Sequence, residues 1–229
     1  MYIREQILKP LGMLHTHWAP SQVPAGQLAL GYRRAGDTWQ LEPMLEDGAG
    51  GAMGGLISSA GDIGRWAAFM LSAWPPRDGA EAGPVARRTL REMQAGLGFP
   101  ELELYRRQPG APVTGVAGSY GFGLAANEHC AWGRDIGHAG GLPGFGSHMR
   151  WLPDHGVGVV VLTSRTYGGA GGLTRRAVEA LKETGALQPR VAQPAPALRR
   201  VAAEVAALVD RWSDAGAEAL AADNLFLDE

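Results

Sequence analysis

The sequence predicts an α/β fold of the α+β type, in which an antiparallel sheet is flanked by helices. Four strand-like segments with glycine-rich connections follow one another between residues 121 and 164. The connection Pro153-Asp154-His155-Gly156 is a strong signal for a four-residue hairpin loop. Amphipathic helical patterns stand before these strands, at residues 59–73, and after them, at residues 173–184.

The first part of the chain predicts short elements joined by turns. Residues 2–8 carry apolar side chains on one helical face and stop before Pro10, which indicates the last turns of a helix. Residues 27–34 and 38–41 are typical of two short strands around a turn. Six glycines in residues 48–61 indicate a loop whose backbone approaches another segment closely.

Two helices are predicted ahead of the strand-rich part. Ser59 followed by Asp62 resembles a capping box and opens the helix that ends before Pro75. Pro84 at a first helical position predicts a second helix to about residue 95. Residues 96–118 are rich in glycine and proline and are predicted as a loop.

The strand-rich part and the segment after it complete the prediction. A helix at residues 173–184 covers the sheet and ends at Gly185. Three prolines mark a linker, and an amphipathic helix follows it, so the chain divides at these boundaries. The predicted strands are residues 121–126, 131–137, 147–152 and 157–164. The predicted parts of the chain are a sheet-containing domain at residues 1–186, a linker at residues 187–197, and a helical tail at residues 198–229 that could begin a further domain.

Composition excludes several classes of protein. Apolar residues make up 45% of the 229 residues and charged residues 19%, which is typical of a chain that buries a core. A net charge of -2 without a cluster of Lys and Arg argues against a nucleic-acid partner. Cys130 is the single cysteine, so no disulfide can form within the chain, and the expectation for it is a small buried side chain.

The sequence shows no transmembrane segment and no secretory signal. No apolar run approaches the roughly 20 residues that a transmembrane helix needs. The first residues lack the basic and apolar regions of a secretory signal, so the sequence assigns no location, and an exported or periplasmic parent would carry its signal elsewhere.

Three segments in order resemble the penicillin-recognising serine hydrolases, the superfamily of β-lactamases, DD-peptidases and esterases. The first is ILKPLGM at residues 7–13 with Thr16, which is similar to the segment that follows the second catalytic motif of class C β-lactamases. The second is GGLISSAGD at residues 54–62. The third is YGFGL at residues 120–124 followed by GHAGGLPGFGS at residues 137–147. The resemblance spans residues 1–185 and implies the C-terminal part of a β-lactamase/transpeptidase-like fold, incomplete at its N-terminus.

The third segment holds the residues to which the resemblance gives a role. The family's third motif is Lys or His, a small residue and Gly, which corresponds here to His138, Ala139 and Gly140. His138 would stabilise developing negative charge or help to shuttle a proton. Ala139 and Gly140 would line the substrate, and the backbone N–H of Gly141 would supply one oxyanion donor. The alternative is that His138 is a strand residue at a glycine-rich turn.

The nucleophile of the superfamily is absent from the sequence. The family uses a serine in an SxxK motif and a second motif, Tyr-x-Asn or Tyr-x-Ser. Gln6 and Glu179 stand three residues before the two lysines, Lys9 and Lys182, and none of the five tyrosines has Asn or Ser two residues on. The resemblance implies that both motifs lie upstream of Met1, so we expect an isolated chain that is inactive and exposes an unpaired sheet edge.

Other candidate residues are weaker. Ser119 lies in a near miss to the GxSxG nucleophile elbow, but a Pro/Gly-rich segment precedes it where the elbow needs a buried strand. His15 and His17 could share a strand face, yet no third ligand follows at metal spacing, so no metal site is predicted. Asp135 could orient His138 only through a bulge, because residues three apart on a strand face opposite sides.

Two functions remain open from the sequence. The first is a partial serine hydrolase whose parent hydrolyses an amide, a β-lactam or a carboxylic ester through an acyl-enzyme. The second is a non-catalytic binding or regulatory module with the same fold. The expected partner is a small-molecule or peptide-like acyl substrate, with the missing N-terminal part as a further one, and no motif for any cofactor is visible.

Overall fold

The computed structural model describes residues 2–45, 51–77, 79–81, 83–106, 108–190 and 194–221, without the side chains of residues 99 and 100. It divides into two compact units, residues 1–190 and 191–229. The first unit contains the sheet and the helices that flank it, as the sequence predicts. Residues 224–229, at the end of the predicted helical tail, lie outside the described residues.

Six antiparallel strands form the main sheet, and they are neighbours in chain order. A separate two-stranded hairpin comes first. The strands are β1 (Gly31–Ala35) and β2 (Thr38–Glu42) in the hairpin, then β3 (Leu97–Tyr105), β4 (Thr114–Gly121), β5 (Leu124–His129), β6 (Gly133–Leu142), β7 (Phe145–Leu152) and β8 (Val157–Thr163). Within the described residues β8 pairs with β7 alone and therefore ends the sheet.

Helices account for most of the remaining structure. Residues 2–8 are helical and end in a π-helical turn, Arg4–Leu8, while Pro20–Gln22 forms a turn of 3₁₀-helix. The α-helices are α1 (Gly51–Gly54), α2 (Ala60–Leu71), α3 (Arg87–Met93) and α4 (Ala170–Glu183) in the first unit, and α5 (Pro196–Asp210) and α6 (Asp214–Leu220) in the second.

Helices α2 and α4 cover opposite faces of the sheet. Trp151 of β7 is fully buried and packs with α2, including Met70. The next residue, Leu152, is buried against Val178 of α4. Because consecutive strand residues point to opposite faces, each face of β7 contributes to its own core.

The buried side of α2 contains a polar network around Gln94. Its side-chain oxygen accepts from the indole N–H of Trp74 at 3.1 Å and from that of Trp151 at 2.8 Å. Its amide donates to the carbonyls of Met70 and Leu90. Every polar group of the buried Gln94 amide is thus satisfied, which joins α2, α3 and β7.

Several sequence predictions are wrong in detail. The predicted loop at residues 96–118 contains β3 and the start of β4, and the predicted strand 121–126 spans the turn between β4 and β5. Pro84 does not open α3, because Ala86 is its N-cap, and β1 begins later than residue 27. Two helices are additional to the prediction: the short α1 lies within the predicted loop 48–61, and α6 follows α5. Cys130 is exposed rather than buried.

The β1–β2 hairpin is fixed against the turn between β6 and β7. Gly31 approaches Gly144 so closely that a Cβ on Gly31 would overlap the backbone of Gly144. The N–H of Gly144 donates to the hydroxyl of Thr166 at 2.7 Å, and the N–H of Thr166 donates to the carbonyl of Tyr32. These contacts hold the end of β6, where the predicted site residues lie.

Candidate functional site

Asp62 joins two of the three segments that carry the family resemblance. Its Oδ2 atom accepts from the N–H of His15 and from the hydroxyl of Thr16, each at 2.8 Å. Ser59 caps α2 by accepting from the N–H of Asp62 at 3.1 Å, so one half of the predicted capping box is present. The Asp62 carboxylate is fully buried and turns toward Thr16, not toward the N-cap.

His138 lies on β6 beside the end of β4. Its side chain is exposed, and its Nε2 atom is 3.0 Å from the hydroxyl of Tyr120. The two ring centroids are 5.9 Å apart. The sequence predicted His138 as a site residue but gave Tyr120 no role, although Tyr120 begins the YGFGL segment.

The second half of β6 has a strand neighbour on one side only. Pairing with β5 stops where Ala125 faces Gly137, whereas pairing with β7 continues to Leu142. In the described part of the chain, no second strand pairs with residues 138–142. The backbone of this open edge could therefore pair with an extended segment or ligand by strand addition.

Gly140 and Gly141 lie close to neighbouring side chains at the open edge. A Cβ on Gly140 would overlap the hydroxyl of Ser147 on β7, and one on Gly141 would overlap the ring of Tyr167. Tyr167 is 66% exposed and has a positive φ of 47°, a conformation uncommon for a residue other than glycine. A cavity of about 310 Å³ borders both glycines, Ser147 and Tyr167.

A second cavity, of about 280 Å³, borders His138 itself. Tyr120, Ala125, Asp135, Gly137, His148 and Arg150 are among its lining residues. Asp135 is buried there and accepts hydrogen bonds from Asn127 at 3.0 Å and Trp132 at 2.9 Å, and it forms an ion pair with Arg150. Among the described residues the carboxylate of Asp135 accepts from these three side chains and not from His138.

His148 also lines this cavity. Burial lowers its pKa to about 4, and the positive charges of Arg150 and His138 act in the same direction, against the opposing charge of Asp135. Its Nδ1 atom is 2.9 Å from the hydroxyl of Thr174 on α4. Near neutral pH His148 therefore brings no positive charge to the cavity.

The weaker candidates have structural partners. Ser119 lies within β4, and its hydroxyl donates to the carbonyl of Ala126 at 3.3 Å, so it does not stand on a strand-to-helix elbow. His17 pairs through its backbone with Ile57. Lys9 forms an ion pair with Glu5, and Lys182 donates to the carbonyl of Ala131.

Among the described residues, no group of three or more His, Cys, Asp or Glu side chains is placed to hold a metal ion. No helix in the same part of the chain has the length and apolar character to cross a membrane.

Comparison with known proteins gives one family and a set of similar structures. The family model described as Beta-lactamase matches residues 1–183. No curated protein matches the sequence. The octameric penicillin-binding protein homologue from Pyrococcus abyssi is similar, with a TM-score of 0.59 and 21% identity over 80% of this chain and 37% of that one.

Two more structures show the same fold. A penicillin-binding protein from Bacillus halodurans has a TM-score of 0.53 and 18% identity, over 79% of this chain and 48% of that one. A class C β-lactamase has a TM-score of 0.52 and 15% identity, over 83% of this chain and 52% of that one. The chain thus spans about half or less of the length of the structures that it matches.

Proposed function

Because the chain belongs to the β-lactamase family through residues 1–183, we propose that it forms the sheet side of an acyl-transfer site in a serine hydrolase. The observation that carries this proposal is the open backbone edge at residues 138–142 with His138 at its start. The reaction is transfer of an acyl group to a serine, followed by hydrolysis of the acyl-enzyme. The acyl donor is an amide, a β-lactam or a carboxylic ester.

Four neighbouring residues of the open edge take three roles. Ala139 and Gly140 lie along the acyl group, where a backbone without large side chains lets an extended substrate approach. The N–H of Gly141 donates to the oxyanion, and loss of one such donor typically slows an enzyme by about 10²–10³-fold. His138 stabilises the negative charge or passes on a proton as an exposed imidazole beside the edge.

The nucleophile and its base come from outside the 229 residues in this proposal. Neither lysine follows a serine by three positions, and no Tyr-x-Asn or Tyr-x-Ser sequence is present. Ser119 is engaged within β4. The isolated chain is therefore proposed to be inactive, and an upstream segment with both motifs is proposed to complete the site.

The test compares two forms of the protein with two reporters. The 229-residue chain and a version extended upstream through an SxxK motif are each given a chromogenic cephalosporin and a p-nitrophenyl ester. We expect turnover by the extended version alone, and the reporter that is cleaved identifies the substrate class. Activity of the 229-residue chain, abolished by Ser119→Ala, would overturn our assignment of the nucleophile.

Matched histidine variants then test the sheet side. In the extended version, His138→Ala should lower kcat/KM by about 10²–10⁴-fold, the usual contribution of a positioned proton-transfer group. His15→Ala changes an exposed histidine away from the edge and should leave kcat/KM unchanged. If neither version hydrolyses a reporter but the chain binds an acyl ligand, a binding module replaces the hydrolase as the function.

A further inference from the structure

The contact between Tyr120 and His138 joins two halves of the third resemblance segment. The Tyr120 hydroxyl is 3.0 Å from Nε2 of His138, within the range of a hydrogen bond. In the described part of the chain, this hydroxyl is the one polar side-chain group that bonds to the His138 ring. Tyr120 is thus the direct neighbour of His138, the histidine of the third motif.

The backbone explains why Tyr120 reaches across a strand. Phe122 and Gly123 have φ angles of 50° and 76°, so the β4–β5 connection has two left-handed central residues, as in a type I′ hairpin turn. In the resulting register Ala125 faces Tyr120 on one side and Gly137 on the other. Both residues that follow Tyr120 in this row, Ala125 and Gly137, are small.

The chemistry of the two groups sets the direction of the hydrogen bond. A phenol is a stronger acid than the N–H of a neutral imidazole, and the bare ring nitrogen is a better acceptor than a phenol oxygen. The favoured arrangement therefore has the Tyr120 O–H donating to Nε2. A neutral imidazole carries one proton, so an accepting Nε2 places that proton on Nδ1.

We propose that Tyr120 is a positioning residue that selects the neutral tautomer of His138 with its proton on Nδ1. The selected tautomer has an N–H donor at Nδ1, and the hydrogen bond also restricts rotation of an otherwise exposed ring. This inference rests on the proposed function, since the donor acts only when an acyl substrate develops negative charge beside it.

The two neutral tautomers of His138 differ in which ring nitrogen carries the N–H donor, and the Nδ1–H tautomer carries it at Nδ1. Without Tyr120, part of the neutral population would carry its proton on Nε2 and would present a bare nitrogen at Nδ1.

The test measures the tautomer directly by long-range ¹H–¹⁵N NMR of the labelled 229-residue chain. At a pH where His138 is neutral, we expect Nδ1 to have the ¹⁵N chemical shift of a protonated ring nitrogen and Nε2 that of an unprotonated one. In Tyr120→Phe the ratio of Nδ1–H to Nε2–H should fall severalfold. Tyr120 is 54% exposed, so removing its oxygen leaves the fold intact.

Tyr105→Phe is the matched control, because its hydroxyl is also 3.0 Å from a histidine Nε2, that of His129. It should change the ¹⁵N shifts of His129 and leave those of His138 unchanged. A proton on Nε2 of His138 in the unaltered chain would overturn the proposal even if Tyr120→Phe failed to fold. An identical tautomer ratio in Tyr120→Phe would overturn it as well.

A kinetic measurement separates this inference from the proposed function. In an active extended version, Tyr120→Phe should lower kcat by about 2-fold to 10-fold with KM unchanged, the range expected for one hydrogen bond. If the tautomer ratio changes in Tyr120→Phe but the extended version hydrolyses neither reporter, the proposed function is overturned and the positioning role is kept. If the extended version is active but the tautomer ratio does not change in Tyr120→Phe, the positioning role is overturned and the proposed function is kept.

Discussion

Replacing Asp62 with alanine should destabilise the first unit by about 2–4 kcal/mol, because the change removes the acceptor that joins the PLGM segment to α2. The carboxylate is fully buried, and Thr16 is only 3% exposed. The part-buried N–H of His15 loses its acceptor, which costs about 1–3 kcal/mol. The hydroxyl of Thr16 loses Asp62 but keeps Ser58 at 2.9 Å, so its loss is the net value of one hydrogen bond, about 0.5–1.5 kcal/mol. Arg65, also bonded to Asp62, is half-exposed and can turn to water, so its loss adds little.

The assay is urea unfolding of the unaltered chain and of the variant, analysed by linear extrapolation with the slope checked for constancy. Asp37→Ala is the control, because Asp37 forms an ion pair with Arg34 but is fully exposed. It should change the free energy of unfolding by less than about 0.5 kcal/mol. A loss below about 1 kcal/mol in Asp62→Ala would refute the reasoning, since it is less than the lower limit expected from the His15 and Thr16 donors together.

A milder pair of variants keeps the argument testable if Asp62→Ala does not fold. Asp62→Asn retains one acceptor oxygen, and Thr16→Val removes the hydroxyl that donates to it. In a double-mutant cycle the two changes should show a coupling energy of at least about 0.5 kcal/mol, as expected for residues in one hydrogen-bonded network. Additive effects would show that the contact between Thr16 and Asp62 contributes nothing to stability.

Three further predictions concern the sheet. The pKa of His148 is depressed to about 4 from 6.5, so its contribution to stability is complete above pH 6.5 and is lost as the pH falls through about 4; His148→Gln should flatten the slope of unfolding free energy in this window. Gln94→Leu leaves two indole N–H groups without their acceptor and should cost about 2–4 kcal/mol in urea unfolding, whereas the exposed Gln188→Leu should cost less than about 0.5 kcal/mol. Gly141→Ala should lower the free energy of unfolding by about 1–3 kcal/mol, because its Cβ would overlap the ring of Tyr167. Tyr167→Ala in the same chain should recover most of that loss in thermal unfolding. Equal losses with and without the ring would contradict the contact.

The parts of the fold that the sequence predicts are those with local signals. Helix α2 begins at Ser59 and has a clear apolar face, and the turn between β7 and β8 has its own sequence signature, so both are found at nearly the predicted positions. Strand β3 was missed for a local reason too. Gly98 has a φ of 84°, and the pairing with β4 shifts between Leu97 and Glu101, so the alternation of side chains is interrupted.

The same difference between local and long-range information applies to the site. His138, Gly140 and Gly141 were predicted from one continuous motif, and their roles in catalysis stay predictions. The contact of Tyr120 with His138 depends on the register of three strands, which no local pattern encodes. Asp62 was predicted as part of a helix cap, but its main partners are His15 and Thr16, more than 40 positions earlier in the chain.

Strand β6 explains how one segment can serve both the core and a site. Ile136 and Gly137 pair with neighbours on both sides, and Asp135 and Ile136 are almost completely buried. Substitutions at these two buried residues would leave a cavity or an unpaired donor, so the fold determines these side chains. Within the described residues, His138 to Leu142 have a strand neighbour on one side only and are exposed or half-buried, so stability restricts this half mainly at Gly140 and Gly141, where a Cβ would meet Ser147 and Tyr167. The remaining freedom at His138 and Ala139 leaves their identity open to requirements other than stability, and an acyl-transfer site on this edge would supply them.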